Sequence, residues 1–470
     1  MKHSALPLLS VLLITGCAIG PDYQRPSLNM PEAWRSSSAL PANEKLEELA
    51  NLAWWQQLEE PVLDALVAEA LANNRDLKVA AARVDEAAGQ LGSTRAQLFP
   101  QFGATLGGSR QQASNAGLTP IPATVDRVYN QYSAALNVGW EIDLFGRLRR
   151  ASEASQADLL SSEESRRALA LSLAATVANS YISLRDLDNQ LDIARRTLKT
   201  REESLRIFDL RYKGGVVSEM EVAQVRSELE AARIAVPTVE QSVAQQENAI
   251  SALLGRLPGP ITRGKNLAEM GLPLPPVSLP ASVLERRPDI RQSEQNLVAN
   301  NARIGVAKAA YFPSVTLTGL LGSSSVAFSN LFTGPAHVWS YGADLAAPIF
   351  TAGAIAGQVK SAEARQVQAL EQYRKSVENA FREVDDALTA GTKSREVLDG
   401  RIRQVDALTT YGRAARLRYD GGYSSFLEVL DAERSLFQAQ IYESQARGQA
   451  LIAATTLYKV LGGGWQAASE

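Results

Sequence analysis

Arg211-Tyr212-Lys213-Gly214-Gly215-Val216-Val217-Ser218-Glu219-Met220-Glu221-Val222 returns 207 residues later as Arg418-Tyr419-Asp420-Gly421-Gly422-Tyr423-Ser424-Ser425-Phe426-Leu427-Glu428-Val429. Arg-Tyr, Gly-Gly, Ser and Glu-Val keep their places in both copies, and Leu254-Gly255 recurs as Leu461-Gly462 at the same offset. An earlier block repeats at an offset of 213: Asp76, Gly92, Ala96 and Phe99-Pro100 return as Asp289, Gly305, Ala309 and Phe312-Pro313. Two blocks in fixed order imply one fold built from two similar halves. Such a duplication suits a pseudo-symmetric wall or ring better than a single catalytic cleft.

The chain on the N-terminal side of each Gly-Gly reads as a very long helix. Residues 147–213 contain neither Gly nor Pro, enough for a helix on the order of 100 Å at 1.5 Å per residue. Leu184, Leu191, Leu198, Leu205 and Tyr212 fall seven apart, interleaved with Leu187, Ala194 and Phe208, and a sustained heptad marks a coiled-coil seam. In the second half Leu370, Val377, Val384, Leu398 and Val405 keep the spacing over 354–420, although Gly391, Gly400 and Gly412 weaken the expectation of an unbroken helix. Glycine ends both helices, as it does at helix C-termini. Return helices are expected over 218–255, with a kink at Pro237, and over 425–462.

Each half opens with another helix, over 61–98 and 281–311, that stops at Phe-Pro. The period then changes. Tyr132, Ala134, Leu136, Val138, Trp140 and Ile142 alternate with Ser133, Ala135, Asn137, Gly139 and Glu141. Trp339, Tyr341, Ala343, Leu345, Ala347 and Ile349 alternate with Ser340, Gly342, Asp344 and Ala346 in the second half. With shorter alternations after each Phe-Pro, strands are expected near 101–110, 131–143, 314–322 and 338–349. Their length, aromatic tips and polar connections near 112–128 and 325–337 fit outer-membrane barrel strands. The pattern fits two soluble hairpins with one buried face equally well. Four strands cannot close a membrane barrel, which takes about eight, so either protomers pool strands or there is no barrel.

Composition and targeting narrow the classes. The chain has 470 residues and a net charge of −3, with Lys+Arg 48 against Asp+Glu 51, so no basic surplus invites nucleic acid. A polar start at Lys2 and His3, a mainly apolar stretch over 6–14 and then Thr15-Gly16-Cys17 read as a secretion signal over 1–16. Ile14-Thr15-Gly16-Cys17 resembles the bacterial lipobox, and Cys17 is the sole cysteine, which fits a covalent lipid better than a disulfide or a nucleophile. No other cofactor is expected. Beyond Cys17 no run of about 20 apolar residues appears, so a membrane crossing by the mature chain requires a closed barrel. Once His3 leaves with the signal, His337 is the only histidine, and no metal cluster, phosphate-binding loop or Ser-centred motif stands out. The chain therefore reads as a non-enzyme. Its layout is signal 1–16, lipidated lead-in 17–60, first repeat 61–260, Pro-rich linker 261–280, second repeat 281–463 and tail 464–470.

The order of these parts resembles the TolC-like outer-membrane factors of tripartite efflux pumps, in their lipoprotein OprM/NodT-like branch. Cys17-Ala18-Ile19-Gly20-Pro21-Asp22-Tyr23-x-Arg25-Pro26 looks like that branch's mature start. Trp54-Trp55, Leu284-Glu285-Arg286-Arg287-Pro288-Asp289-Ile290, and Leu430-Asp431-Ala432 with Arg434-Ser435-Leu436 match its other recurring strings. The resemblance implies a mixed α and β membrane protein. A homotrimer would pool four strands per protomer into a twelve-stranded outer-membrane β-barrel, continued by a periplasmic α-helical coiled-coil barrel. It further implies small-molecule efflux, with a periplasmic adaptor and an inner-membrane transporter of the RND type as partners. A protein-secretion duct shares the architecture, and a structural coiled-coil lipoprotein is the remaining reading.

Within that resemblance Asp431 matches the acidic gate position and Glu428 a second carboxylate. The two stand three residues apart on one helix face, and in a trimer each becomes a ring of the kind that selects cations. The first copy carries Glu221 and Gln224 at these places, so the doubled acid belongs to one repeat. Tyr419 fits a tyrosine that locks the closed state in some relatives, Ser424 stands where those relatives have arginine, and Leu427 fits an apolar constriction. Adaptor contact is expected at both tips, over 213–217 and 420–424, centred on Gly214, Gly215, Gly421 and Gly422.

Overall fold

The computed structural model describes residues 18–28, 31, 34–35, 53–114, 126–271 and 286–463. Cys17, the signal, most of the lead-in, part of the first strand connection, residues 272–285 and the tail therefore lie outside the described residues. The helices are α1 (Pro61–Asn73), α2 (Arg75–Ala96), α3 (Arg147–Lys213), α4 (Glu219–Leu253), α5 (Pro288–Ala309), α6 (Ala354–Asp420) and α7 (Phe426–Val460). The strands are β1 (Gln101–Gln112), β2 (Val128–Ile142), β3 (Ser314–Ser325) and β4 (His337–Ala346).

Two compact units emerge, one from Met1–Ser27, Arg83–Ser162 and Gln292–Arg374, the other from Leu28–Ala82, Glu163–Arg291 and Lys375–Glu470. The first holds one antiparallel sheet in the order β1-β2-β3-β4. Register sorts its side chains by face. Phe102 pairs with Val138, Leu136 with Leu321, Leu321 with Trp339 and Gly319 with Tyr341, so one face is apolar. Thr105–Ala135, Asn137–Leu320 and Thr316–Asp344 pairs put hydroxyls, amides and Asp344 on the other. Phe102, Leu106, Leu345 and Tyr341 are largely exposed, and every residue of both edge strands is exposed. Unpaired edges with an apolar face belong to a sheet completed by other strands and by lipid. Trp140 at the helical end donates its indole N–H to the Leu98 carbonyl at 3.0 Å, the placement expected of an interfacial tryptophan.

The second unit packs around Trp54, Leu63, Val67, Val177, Tyr181, Ile250, Leu254 and Tyr458. Trp54 stacks on Tyr458 with centroids 5.9 Å apart. Gly255 ends α4 at φ 73°, where a Cβ would strike the Asn73 backbone, so this close approach requires glycine.

The structure revises several boundaries. One opening helix is expected over 61–98, but α1 and α2 separate at Asn74, whose Oδ1 accepts from Leu77 N–H at 3.1 Å and whose Nδ2 donates to the Leu253 carbonyl at 2.9 Å. Asn74 thus caps α2, a role its side chain suits. Pro237 lies inside an unbroken α4, and α6 passes through Gly391, Gly400 and Gly412 without interruption. β2 starts at Val128 and β4 ends at Ala346, extending the first expected strand and shortening the second. The start of the expected linker is part of the core: Ile261, Leu267 and Met270 are buried, and Arg263 pairs with Asp188 and Glu247.

Candidate functional site

The two Gly-Gly turns are built alike. Val216 N–H reaches the Arg211 carbonyl at 2.9 Å and Tyr423 N–H the Arg418 carbonyl at 2.8 Å, each closing a six-to-one bond around a glycine at φ 71° (Gly215) or 74° (Gly422). This is the Schellman end, where the left-handed residue needs glycine. Gly214, Gly215, Gly421 and Gly422 are all exposed.

The helix starts beyond the turns differ. In the first repeat Ser218 and Glu221 close a capping box: Glu221 Oε2 accepts from Ser218 N–H at 2.8 Å, and Ser218 Oγ accepts from Glu221 N–H at 3.3 Å. The equivalent Ser425 and Glu428 form no side-chain cap. The Glu428 carboxylate makes no hydrogen bond or ion pair among the described residues. The same Ser-x-x-Glu spacing thus engages its acid locally in one copy and releases it in the other.

Glu428 lines a groove of about 470 Å³ with Gln224, Ser227, Glu228, Tyr411, Leu427, Leu430, Asp431 and Arg434. Three carboxylates face one guanidinium there, and Arg434 pairs with Asp431 at 3.3 Å across an exposed helix turn, a weak contact in water. Leu427 is 61% exposed. It is no seam residue within its own chain.

Behind this face the two helical pairs are cross-linked. Phe208, Tyr419 and Phe426 cluster with centroids 4.2–6.4 Å apart. Arg211 donates to Tyr419 Oη at 3.0 Å. Ser424 Oγ is buried without a hydrogen-bond partner among the described residues, so Arg211, from the other repeat, supplies the cationic partner of Tyr419. Deeper in, Arg201 of α3 reaches Glu433 of α7 at 2.6 Å and Glu228 of α4 at 3.8 Å, and Arg416 of α6 shares Glu433 at 3.8 Å. Reasoning from sequence missed Arg201 and Arg211. The repeated Arg211/Arg418 frame marks the second, but nothing local marks the first.

The family model for outer membrane efflux proteins matches residues 66–256 and again 279–463. The chain belongs to the outer membrane efflux protein family. It is 36% identical over 474 residues to the probable efflux pump outer membrane protein TtgC of Pseudomonas putida, spanning 99% of this chain and 96% of the relative. It is 35% identical over 468 residues to the probable outer membrane lipoprotein SilC of Salmonella typhimurium, spanning 99% of each. Among solved structures it resembles the Campylobacter jejuni CmeC outer membrane channel, with TM-score 0.90, 26% identity, and 97% of this chain and 96% of that one covered. The open-state Neisseria gonorrhoeae MtrE channel gives 0.85 at 31% identity, covering 95% and 98%. This efflux-protein chain is accordingly an outer-membrane channel protomer of the trimeric TolC-like type, mostly helical with a four-stranded sheet.

Proposed function

We propose that this efflux channel is the exit duct of a tripartite pump. Three copies pool their sheets into twelve strands, and the duct receives small apolar or amphipathic molecules from a periplasmic adaptor and an inner-membrane transporter of the RND type. Support for the substrate class comes from relatives named for toluene, solvent and antibiotic efflux. The observation carrying the barrel is the sheet itself, apolar on one face, polar on the other and unpaired at both edges. Adaptor hairpins dock at the exposed Gly-Gly turns.

Glu428 and Asp431 form the gate, with Leu427 as its apolar collar and Tyr419 as its link to the neighbouring helical pair. Rings of carboxylates raise local cation concentration and repel anions at a constriction. Glu428 carries this role better than its counterpart Glu221, which its own helix start engages. Glu428→Gln with Asp431→Asn is expected to reduce cation selectivity in planar bilayers. Retention of the parent's reversal potential in a salt gradient would count against the gate.

Cys17 carries the lipid anchor that holds the mature chain to the outer membrane. Metabolic labelling with a radioactive fatty acid should mark the wild-type chain and not Cys17→Ser. Equal labelling of both would refute the anchor.

A further inference from the structure

The stretch Gly20-Pro21-Asp22-Tyr23-Gln24-Arg25 has no part in the barrel, the gate or the turns. Yet nearly every residue of it is engaged. Gly20, at φ 111°, crosses Gly305 of α5 so closely that a Cβ on it would lie 2.5 Å from the Gly305 Cα. A Cβ on Gly305 would in turn lie 2.5 Å from the Ile19 carbonyl oxygen. Just before the crossing, Ile19 N–H donates to the Phe145 carbonyl at 3.1 Å. Ala18 lies against Gly146, where a Cβ would come within 2.7 Å of the Ala18 Cα. Just after it, the Pro21 carbonyl accepts from Asn301 Nδ2 at 2.8 Å.

Charge completes the dock. Arg150 of α3, its side chain 8% exposed, reaches Asp22 at 2.6 Å while donating to the Ile19 carbonyl at 3.4 Å. Glu294 of α5 accepts from Tyr23 Oη at 3.0 Å and from Arg25 at 2.9 Å. Burial, followed by the charge of Glu294, pushes the Tyr23 phenol well above its usual range. Arg25 also meets the buried Tyr373 of α6. The partners therefore come from α3 in the first repeat and from α5 and α6 in the second.

We propose that residues 18–25 are a docking strap that staples the start of α3 to α5 and α6 just below the sheet. Two glycines without side chains let the strap lie directly on α5, where any larger residue would hold it away.

The test places a nitroxide on Gln24→Cys in the full-length channel, with the signal of the identically treated wild-type chain, whose one thiol is Cys17, subtracted. In the parent the probe should report a slow, docked segment by electron paramagnetic resonance. Gly305→Ala should make it mobile and lower the melting temperature of the detergent-resistant trimer by several degrees. Alanine favours helix over glycine, so that loss comes not from α5 itself but from what the new Cβ meets, the Ile19 carbonyl at 2.5 Å and the Arg150 side chain at 2.8 Å, and the Glu294 variant separates the strap from the Arg150 contact. Glu294→Ala, which removes two strap contacts without inserting an atom, should do the same to a smaller extent. A probe that stays slow in both variants overturns the dock, and a mobile probe with unchanged trimer melting overturns the staple.

Discussion

Arg201→Ala is expected to loosen the Gly-Gly end of the channel more than any substitution at the exposed acids. The Arg201 side chain is 4% exposed and bridges Glu433 and Glu228 on helices of different repeats. Removing one member of a buried pair leaves the other charge without compensation, at a cost of about 3–5 kcal/mol. Arg416, 3.8 Å from Glu433, is too far to replace a 2.6 Å bond. If that energy holds the α6–α7 pair against the α3–α4 pair, losing about 3 kcal/mol shifts the closed-to-open ratio by more than roughly a hundredfold. Single-channel conductance in planar bilayers should rise, and cells carrying the variant should become sensitive to large antibiotics. Arg201→Lys keeps the charge but not the fork that spans two carboxylates, so it should fall between. Parental conductance in Arg201→Ala would mean that the bridge is static packing and that the gate moves elsewhere.

The contrast between Arg201 and the heptad around it shows what local sequence carries. Leu184, Phe208, Val377 and Val384 were legible because burial follows a period, and all four are buried. The strands were legible for the same reason, since alternation specifies a face. Both Gly-Gly ends were legible because a left-handed residue leaves few choices. Arg201 finds Glu433 across 232 residues, and no periodicity reports such a pairing. The break at Asn74 was in principle readable, because Asn before Arg75-Asp76 is a helix-start signal, but continuous apolar spacing on both sides masks it. The strap was visible only as a resemblance. Its logic is three-dimensional: Gly20 and Gly305 lie 285 residues apart and are intelligible only when crossed.

Among the string residues 284–290, Arg287 carries the other large expected effect. Its guanidinium is buried and forks onto Asp289 at 3.0 and 2.6 Å, reaches Glu383 at 2.7 Å and donates to the Val460 carbonyl at 3.1 Å. Burial works against its charge, but the two carboxylates more than offset this and raise its pKa. One side chain thus ties the start of α5 to the middle of α6 and the end of α7. Arg287→Ala leaves two like charges near each other and one orphaned carbonyl. Because Asp289 and Glu383 keep 43% and 39% of their surface in water, the cost belongs at the lower end of the buried-pair range, about 3 kcal/mol. For a cooperative unit of this size that is on the order of 5 °C in the helical melt followed by circular dichroism. Pairing the change with Glu383→Gln discriminates the cause. If the loss comes from stranded carboxylates, Arg287→Ala with Glu383→Gln should melt above Arg287→Ala alone, giving a positive coupling between sites in contact. If the two changes simply add, the guanidinium acts through its volume and the Val460 bond, and Arg287→Met should then recover most of the lost stability.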